Sequence, residues 1–203
     1  RAFGHVFAYK GGKKGKAGKE TAEAGEGGEE SGVSIGIRGP VSIHPAFSVA
    51  PVLDRVSSTQ ITKSVSGEGD GTKRASDTMG MKHRVDHGVY VFYGSMNPQL
   101  ATKTGFSGDD AQSIKEALRT LFRNDASSAR PDGSMEIHRV YWWGHNCPNG
   151  QYSSARVHNS VRNKVRVKDG VDEPRSIGDY YIPGKEELEA ELPGLVCEVI
   201  EGE

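Results

Sequence analysis

Apolar and polar residues alternate along residues 33–43, the clearest strand pattern in the chain. Every second residue from Val33 to Ile37 is apolar, as expected of a half-buried strand. A Gly-Pro pair after Arg38 interrupts the alternation and predicts a bulge or a sheet edge, because proline has no amide hydrogen to donate. Arg38 at this break either reaches a ligand or pairs with a nearby carboxylate.

A second pattern has the period of a helix. Four apolar residues recur at i, i+4, i+7 and i+8: Ile114, Leu118, Leu121 and Phe122. Ser107, followed three residues later by Asp110, is a capping-box sequence. The two signals together predict one amphipathic helix whose apolar stripe packs on the core.

Shorter segments complete the predicted elements. Residues 135–144, 164–168 and 195–200 have strand patterns, and residues 154–161 and 185–190 have short helical ones. Strands dominate and do not alternate regularly with helices, which predicts an α+β fold with a mostly antiparallel sheet. One helix over such a sheet is compatible with a ferredoxin-like or RNA-recognition-motif core.

Two segments are predicted to lie outside that core. Residues 10–31 are rich in Lys, Glu and Gly, cannot bury apolar surface and predict a disordered loop. Its basic half either touches phosphate or is neutralised by the acidic half. Residues 48–65 alternate without an apolar face, and GEGDG at residues 67–71 is a strong turn signal. They predict a protruding hairpin whose returning arm brings Lys73 and Arg74 back to the core.

Basic residues concentrate within residues 78–94. The first half is predicted as a glycine-bearing loop with two methionines and three consecutive basic residues: Met79, Met81, Lys82, His83 and Arg84. Residues 88–93 have the composition of a strand buried in a sheet. A cationic loop anchored to a rigid strand suits a protein that presents charge to an anionic partner.

Composition narrows the class of partner. With 203 residues and a net charge of −1, the chain fits one domain and has no global positive field, so nucleic-acid binding would depend on local clusters. The two cysteines form no CxxC pair, as in proteins of the reducing cytosol. No apolar run is long enough to cross a membrane. The chain begins with Arg rather than Met, and we expect a fragment.

Catalytic motifs are absent from the sequence: it has no GxSxG, P-loop or HExxH. His145 and Cys147 lack two further ligands at zinc spacing, so we predict neither a metal nor a cofactor. One catalytic alternative is a metal-independent ribonuclease in which His83 or His87 is the general base beside Lys82. A phosphate-binding loop has the same composition, and we predict a protein that is not an enzyme.

Several motifs occur in the order found in one known family. They are GIRGPVSI, FSV, ITKSV, SDTMGMKH, GVYVFYG and NDASSAR, and the likeness covers most of residues 32–200. This set resembles the backbone subunit of the type I-C CRISPR Cascade surveillance complex. The resemblance implies a single RNA-recognition-motif palm over residues 1–203 and a hairpin thumb, residues 49–81, that crosses the guide RNA.

The same resemblance implies the function and its residues. Copies polymerise along the guide RNA (crRNA), contact other Cascade subunits and hold the guide for pairing with target DNA, in the cytoplasm and without cutting RNA. Guide contacts carried over are Arg38, Lys63, Lys82, His83 and Arg84, with Met79 and Met81 as wedges against bases. Lys73, Arg74 and Arg130 complete the predicted RNA-binding set. Family members begin with an Asn-Gly-Asn-Pro-Asn-Gly-Asp strand and a helix that are missing here, so the palm is expected to be incomplete at its N-terminus.

Overall fold

The computed structural model describes residues 1–9, 33–52, 56–63 and 78–203. Its strands are β1 Gly4–Tyr9, β2 Val33–Arg38, β3 Val41–Ile43, β4 Phe47–Ser48, β5 Val56–Lys63, β6 Thr78–Val85, β7 Tyr90–Val91, β8 Gly94–Met96, β9 Arg139–Gly144, β10 Arg166–Val167, β11 Tyr180–Tyr181 and β12 Val196–Glu201. Its helices are α1 Pro98–Thr104, α2 Gly108–Arg119, α3 Ser154–Arg162 and α4 Lys185–Glu191, with a 3-10 turn at Ile177–Asp179.

Some predicted segments lie outside the described residues. These are the loop at residues 10–31, the turn at residues 67–71, Lys73 and Arg74. The predicted α+β class is confirmed, since helices combine with antiparallel strand pairs. The described strands are joined two by two, and the ferredoxin-like arrangement and the single-palm division stay predictions.

Three antiparallel strand pairs are nested along the chain, and we call them together the ribbon. The chain runs outward through β3, β4 and β5 and returns through β6, β7 and β8, with β5 paired to β6, β4 to β7 and β3 to β8. Residues 44–46 face only residues 92–93 between two of these ladders, which makes a bulge of one residue. β5 and β6 are the two arms of the predicted hairpin; their role as a thumb stays a prediction.

A glycine marks the break predicted after Arg38. β2 ends at Arg38 and β3 begins at Val41. A Cβ atom at Gly39 would lie 2.1 Å from the carbonyl oxygen of Ala2, so only glycine allows the start of β1 to cross there. The amide of Val41 donates to that same oxygen at 2.9 Å. The expected half-burial of β2 is wrong, because Ile35 and Ile37 on its ladder with β1 are exposed.

The core lies in the C-terminal part of the chain. β9 and β12 pair over six residues each, and α3 and α4 cover one face of this ladder. Buried side chains from α3, α4, β12 and the connection between α4 and β12 form two clusters: Val157, Val161, Leu188, Leu192, Leu195 and Cys197. Tyr141 and Trp143 pack against them from β9. Trp142 points to the opposite face, where the Lys115 ammonium of α2 lies 5.4 Å from its ring centroid.

Helix α2 begins where the capping box predicted. The amide of Ser107 donates to the Asp110 carboxylate at 2.8 Å, and the amide of Asp110 donates to the Ser107 hydroxyl at 3.2 Å. The helix ends at Arg119, and its stripe is half-buried rather than core, with Leu121 exposed beyond its end. The main core belongs instead to α3 and α4, two helices too short for a strong periodic signal.

The two cysteines should react very differently with a thiol reagent. Cys197 is buried and Cys147 is exposed. Burial raises the pKa of Cys197 to about 11, so at neutral pH its sulfur stays protonated and out of reach. We expect one rapidly reacting thiol in the native protein and two in denaturant, measured with dithionitrobenzoate. A Cys147→Ser variant should show none before unfolding; rapid reaction of that variant would contradict the burial of Cys197.

Candidate nucleic-acid interface

The loop predicted around Lys82, His83 and Arg84 is in fact a strand. β6 pairs with β5 over eight residues, from Val56 opposite Val85 to Lys63 opposite Thr78. Pairing gives the backbone N–H and C=O groups of both strands hydrogen-bond partners, whereas in a loop these groups would bond to water. The predicted buried strand at residues 88–93 is also wrong: only Tyr90–Val91 are extended, and Tyr90 is exposed. Its partner, β4, is equally short.

Strand geometry divides the basic triplet between two faces of the β5–β6 ladder. Successive side chains point to opposite sides, and cross-strand partners share a side. The face that we call the cationic face carries Ser57, Thr59, Ile61, Lys82 and Arg84. The face that we call the methionine face carries Val56, Ser58, Gln60, Met81, His83 and Val85. Lys82 and His83 therefore cannot hold the same phosphate.

The Lys82 side chain is hydrogen-bonded to a loop that is distant in sequence. Its Nζ atom donates to the carbonyl oxygen of Ser128 at 2.9 Å, which joins β6 to the loop between α2 and β9. A carbonyl is a neutral acceptor, so Lys82 keeps its charge and two further N–H donors for an anion. The contact restricts a long flexible side chain and lowers the entropy that binding would otherwise cost.

Arg84 has a carboxylate partner two residues along the chain. Its Nε atom lies 3.0 Å from the Asp86 carboxylate, and both side chains are mostly exposed. The Ser57 hydroxyl also donates to Asp86, and this hydrogen bond, followed by that of Arg84, holds the Asp86 pKa below its usual range. Asp86 is thus ionised at neutral pH. An exposed pair of this kind is weak, so a phosphate can replace Asp86 as the partner of Arg84.

The methionine face combines apolar and hydrogen-bonding groups. His83 Nδ1 and the Ser58 hydroxyl share a hydrogen bond of 2.7 Å across the ladder. Met81 is 58% exposed, which leaves a polarizable side chain in solvent without packing to account for it. Such a side chain can press against a flat base.

The remaining predicted residues divide into three groups. Lys63 and Met79 occupy the far end of the ladder, opposite Thr78 and Thr62; their side chains lie outside the described structure. Arg130 binds Asp125 through two hydrogen bonds of 3.1 and 3.3 Å, in the loop that Lys82 contacts. Arg38 is exposed at the end of β2, in a different ladder.

Sequence reasoning missed a cluster that docks α3 on the ribbon. His158 Nε2 donates to the Gly94 carbonyl at 3.2 Å. Its ring stacks on Tyr93, with centroids 5.1 Å apart, and meets His44 edge-on at 5.7 Å. Burial raises the pKa of the Tyr93 hydroxyl. These residues come from three separate stretches, so no local signal could have joined them.

The described residues contain no group of three or more His, Cys, Asp or Glu side chains placed to hold a metal ion. Within the same part of the chain, no helix is long and apolar enough to span a membrane.

A two-stranded ladder with exposed cations offers groups that can contact the phosphates of a nucleic-acid strand. Comparison with protein families makes the class specific: residues 1–184 match the family model described as CRISPR-associated protein Cas7, and the chain belongs to that family. Membership implies a repeating backbone subunit of a CRISPR effector complex that binds crRNA. No curated protein matches the chain.

Proposed function

We propose that this chain is a guide-binding backbone subunit of a type I-C Cascade complex, and that it binds guide RNA independently of sequence. The observation that carries the proposal is the β5–β6 register, which sets Lys82 and Arg84 on one exposed face. Cations on a rigid strand contact phosphates, which every guide shares, rather than base edges, which differ between guides.

The two faces of the ladder contact different parts of the guide RNA. Phosphates lie along the cationic face, with Lys82 as the stronger contact because its charge has no carboxylate partner among the described residues. Bases meet Met81 on the methionine face, and the guide is thereby held open for pairing with target DNA. Base contacts of this kind tolerate any sequence, since every base has a flat apolar face.

Assembly completes the function. Apolar side chains exposed on the β1–β2 ladder, among them Phe7, Ile35 and Ile37, supply a surface for a neighbouring copy or another Cascade subunit. The complex acts in the cytoplasm. The chain works as a binder and not as an enzyme. His83 lies on the face opposite Lys82 and bonds Ser58, which disfavours a ribonuclease with His83 as the base; His87 lies outside this ladder and is tested below.

Removing the two cations should weaken RNA binding for all guide sequences alike. A Lys82→Ala, Arg84→Ala variant is expected to lower the salt dependence of affinity by about 1.4 in the slope of log K against log salt, since each phosphate contact on a single strand contributes about 0.7. Fluorescence anisotropy with guide RNAs of unrelated sequence measures this. Lys103→Ala with Lys185→Ala, two exposed lysines on α1 and α4, controls for net charge.

An unchanged slope, or a loss confined to some sequences, would contradict the assignment. RNA recovered from the same reactions, with a chelator present, should be intact. If the RNA is fragmented by the original chain and spared by a His83→Ala or a His87→Ala variant, the ribonuclease interpretation is favoured.

A further inference from the structure

A second cationic and aromatic surface lies far from β6 in sequence, on the short β10–β11 ladder. Arg166 and Tyr181 are cross-strand partners there. The guanidinium carbon of Arg166 sits 5.0 Å from the centroid of the Tyr181 ring, and both residues are exposed. A guanidinium plane and a phenol ring are both platforms on which nucleic-acid bases stack.

An open groove of about 390 Å³ adjoins this pair. Lys168, Gly178, Tyr180 and Tyr181 line it together with the start of β9. Lys168 Nζ donates to the Gly178 carbonyl at 2.7 Å, so the ammonium is held at the groove while it keeps its full charge. A cation and an aromatic platform on one surface are the two kinds of group that hold the phosphate and the base of a single strand.

Two carboxylates near the groove, Asp179 and Glu187, have hydrogen-bond donors of their own. The Asp179 carboxylate accepts from the amides of Arg175 and Ser176, both at 2.8 Å. Glu187 accepts from Lys164 at 2.9 Å and from the Tyr181 hydroxyl at 2.5 Å.

The two cations on this surface form fewer ion pairs than the carboxylates do. The ion pairs among the described residues include neither Arg166 nor Lys168. The Tyr181 hydroxyl, Lys164 and, at longer range, the charge of Arg166 lower the pKa of Glu187, so the Arg166 charge is partly offset. Neither Arg166 nor Lys168 is in direct contact with a carboxylate among the described residues, and both can turn to an incoming phosphate.

We propose that Arg166, Lys168 and Tyr181 bind a single strand of nucleic acid, with a base on the Arg166–Tyr181 stack and a phosphate at Lys168. The recognised chemistry is a phosphodiester strand with unpaired bases, which either RNA or DNA supplies. This site is separate from the β5–β6 ladder and would bring a second stretch of strand to the same subunit.

The ring of Tyr181 gives the sharpest test. In the full chain, Tyr181→Ala should weaken binding of an oligouridine or oligothymidine by about fivefold or more, the range of one lost stacking contact. Tyr181→Phe keeps the ring, loses the hydrogen bond to Glu187 and should bind within about twofold of the original chain. Equal weakening by both variants would overturn the stacking role.

Charge gives an independent readout. Arg166→Ala with Lys168→Ala should lower the salt slope by about 0.7 between about 50 and 200 mM salt, because one phosphate contact, at Lys168, is lost; the Lys103→Ala, Lys185→Ala control should leave it unchanged. The oligouridine and oligothymidine arms identify the source: weakening in either arm supports the site, and the arm affected says whether RNA or DNA occupies it. No change in either arm overturns it.

Crosslinking separates this proposal from the guide-binding one. Oligonucleotides with photoreactive thio-bases should crosslink to peptides that contain β10 or β11 as well as to peptides of β6, as mapped by mass spectrometry. Crosslinks confined to β6 would overturn the second site and leave guide binding by the β5–β6 ladder intact. Crosslinks confined to β10–β11 would do the reverse. A surface built for an acidic protein segment would give no crosslink there and would also overturn the proposal.

Discussion

Replacing Leu188 by alanine should lower the free energy of unfolding by about 2 to 5 kcal/mol. The Leu188 side chain is 0% exposed and packs with Val161 and Cys197, against the β9–β12 ladder. Removing it costs the transfer of its methyl and methylene groups and leaves a cavity that two short helices and a strand pair cannot fully close. Urea unfolding followed by tryptophan fluorescence measures the change, because Trp143 borders the same cluster.

Leu121→Ala is the matched control. It makes the same chemical change at a leucine that is 43% exposed, beyond the end of α2, and should cost less than about 1 kcal/mol because little apolar surface leaves contact. Equal losses for Leu121 and Leu188 would contradict the position of the core between α3, α4 and β9–β12.

Elements with their own local signals were predictable from the sequence. The capping box at Ser107, the helix at residues 154–161 and the closing strand at residues 195–200 all appear, with ends shifted by one or two residues. Burial was less predictable. The strongest apolar stripe, on α2, is only half-buried, because a periodic face indicates which side packs but not how much of the chain covers it.

For the candidate site, the sequence indicated where the charged residues are but not the structure that they adopt. Composition located the basic triplet. Its consecutive charges predicted a loop, whereas the residues form a strand because they pair with β5, more than twenty residues earlier in the chain. Once the residues are extended, the period of two separates Lys82 and Arg84 from His83. A local pattern cannot reveal a long-range partner, and here the partner decides which charges share a face.

Contacts between remote residues were beyond prediction for the same reason. Lys82 meets Ser128, 46 residues away, and Arg166 meets Tyr181 across a long connection. Each contact joins one ordinary surface residue to another. Neither residue of a pair indicates a site by itself, and only the tertiary structure shows that the two are in contact.

Removing the Met81 side chain should weaken guide RNA binding and leave its salt dependence unchanged. Met81 is 58% exposed on the methionine face, where the proposed function brings it against a base. Burying such a side chain from full exposure contributes about 1.5 to 3 kcal/mol. Since 58% of Met81 is left to bury, Met81→Ala is expected to lower affinity by about fivefold or more. The contact is apolar and releases no counterion, so the salt slope should match that of the original chain.

Ile61→Ala is the control on the other side of the same ladder. Ile61 is 45% exposed and pairs with Gly80, next to Met81, so it presents a similar apolar side chain to the cationic face, where phosphates are expected. Affinity should change by less than about threefold, because a phosphate gains little from an apolar neighbour. Met81→Leu, which keeps the apolar volume, should retain most of the binding. If Ile61→Ala costs as much as Met81→Ala, the bases do not prefer the methionine face, and the division of phosphates and bases between the two faces is wrong.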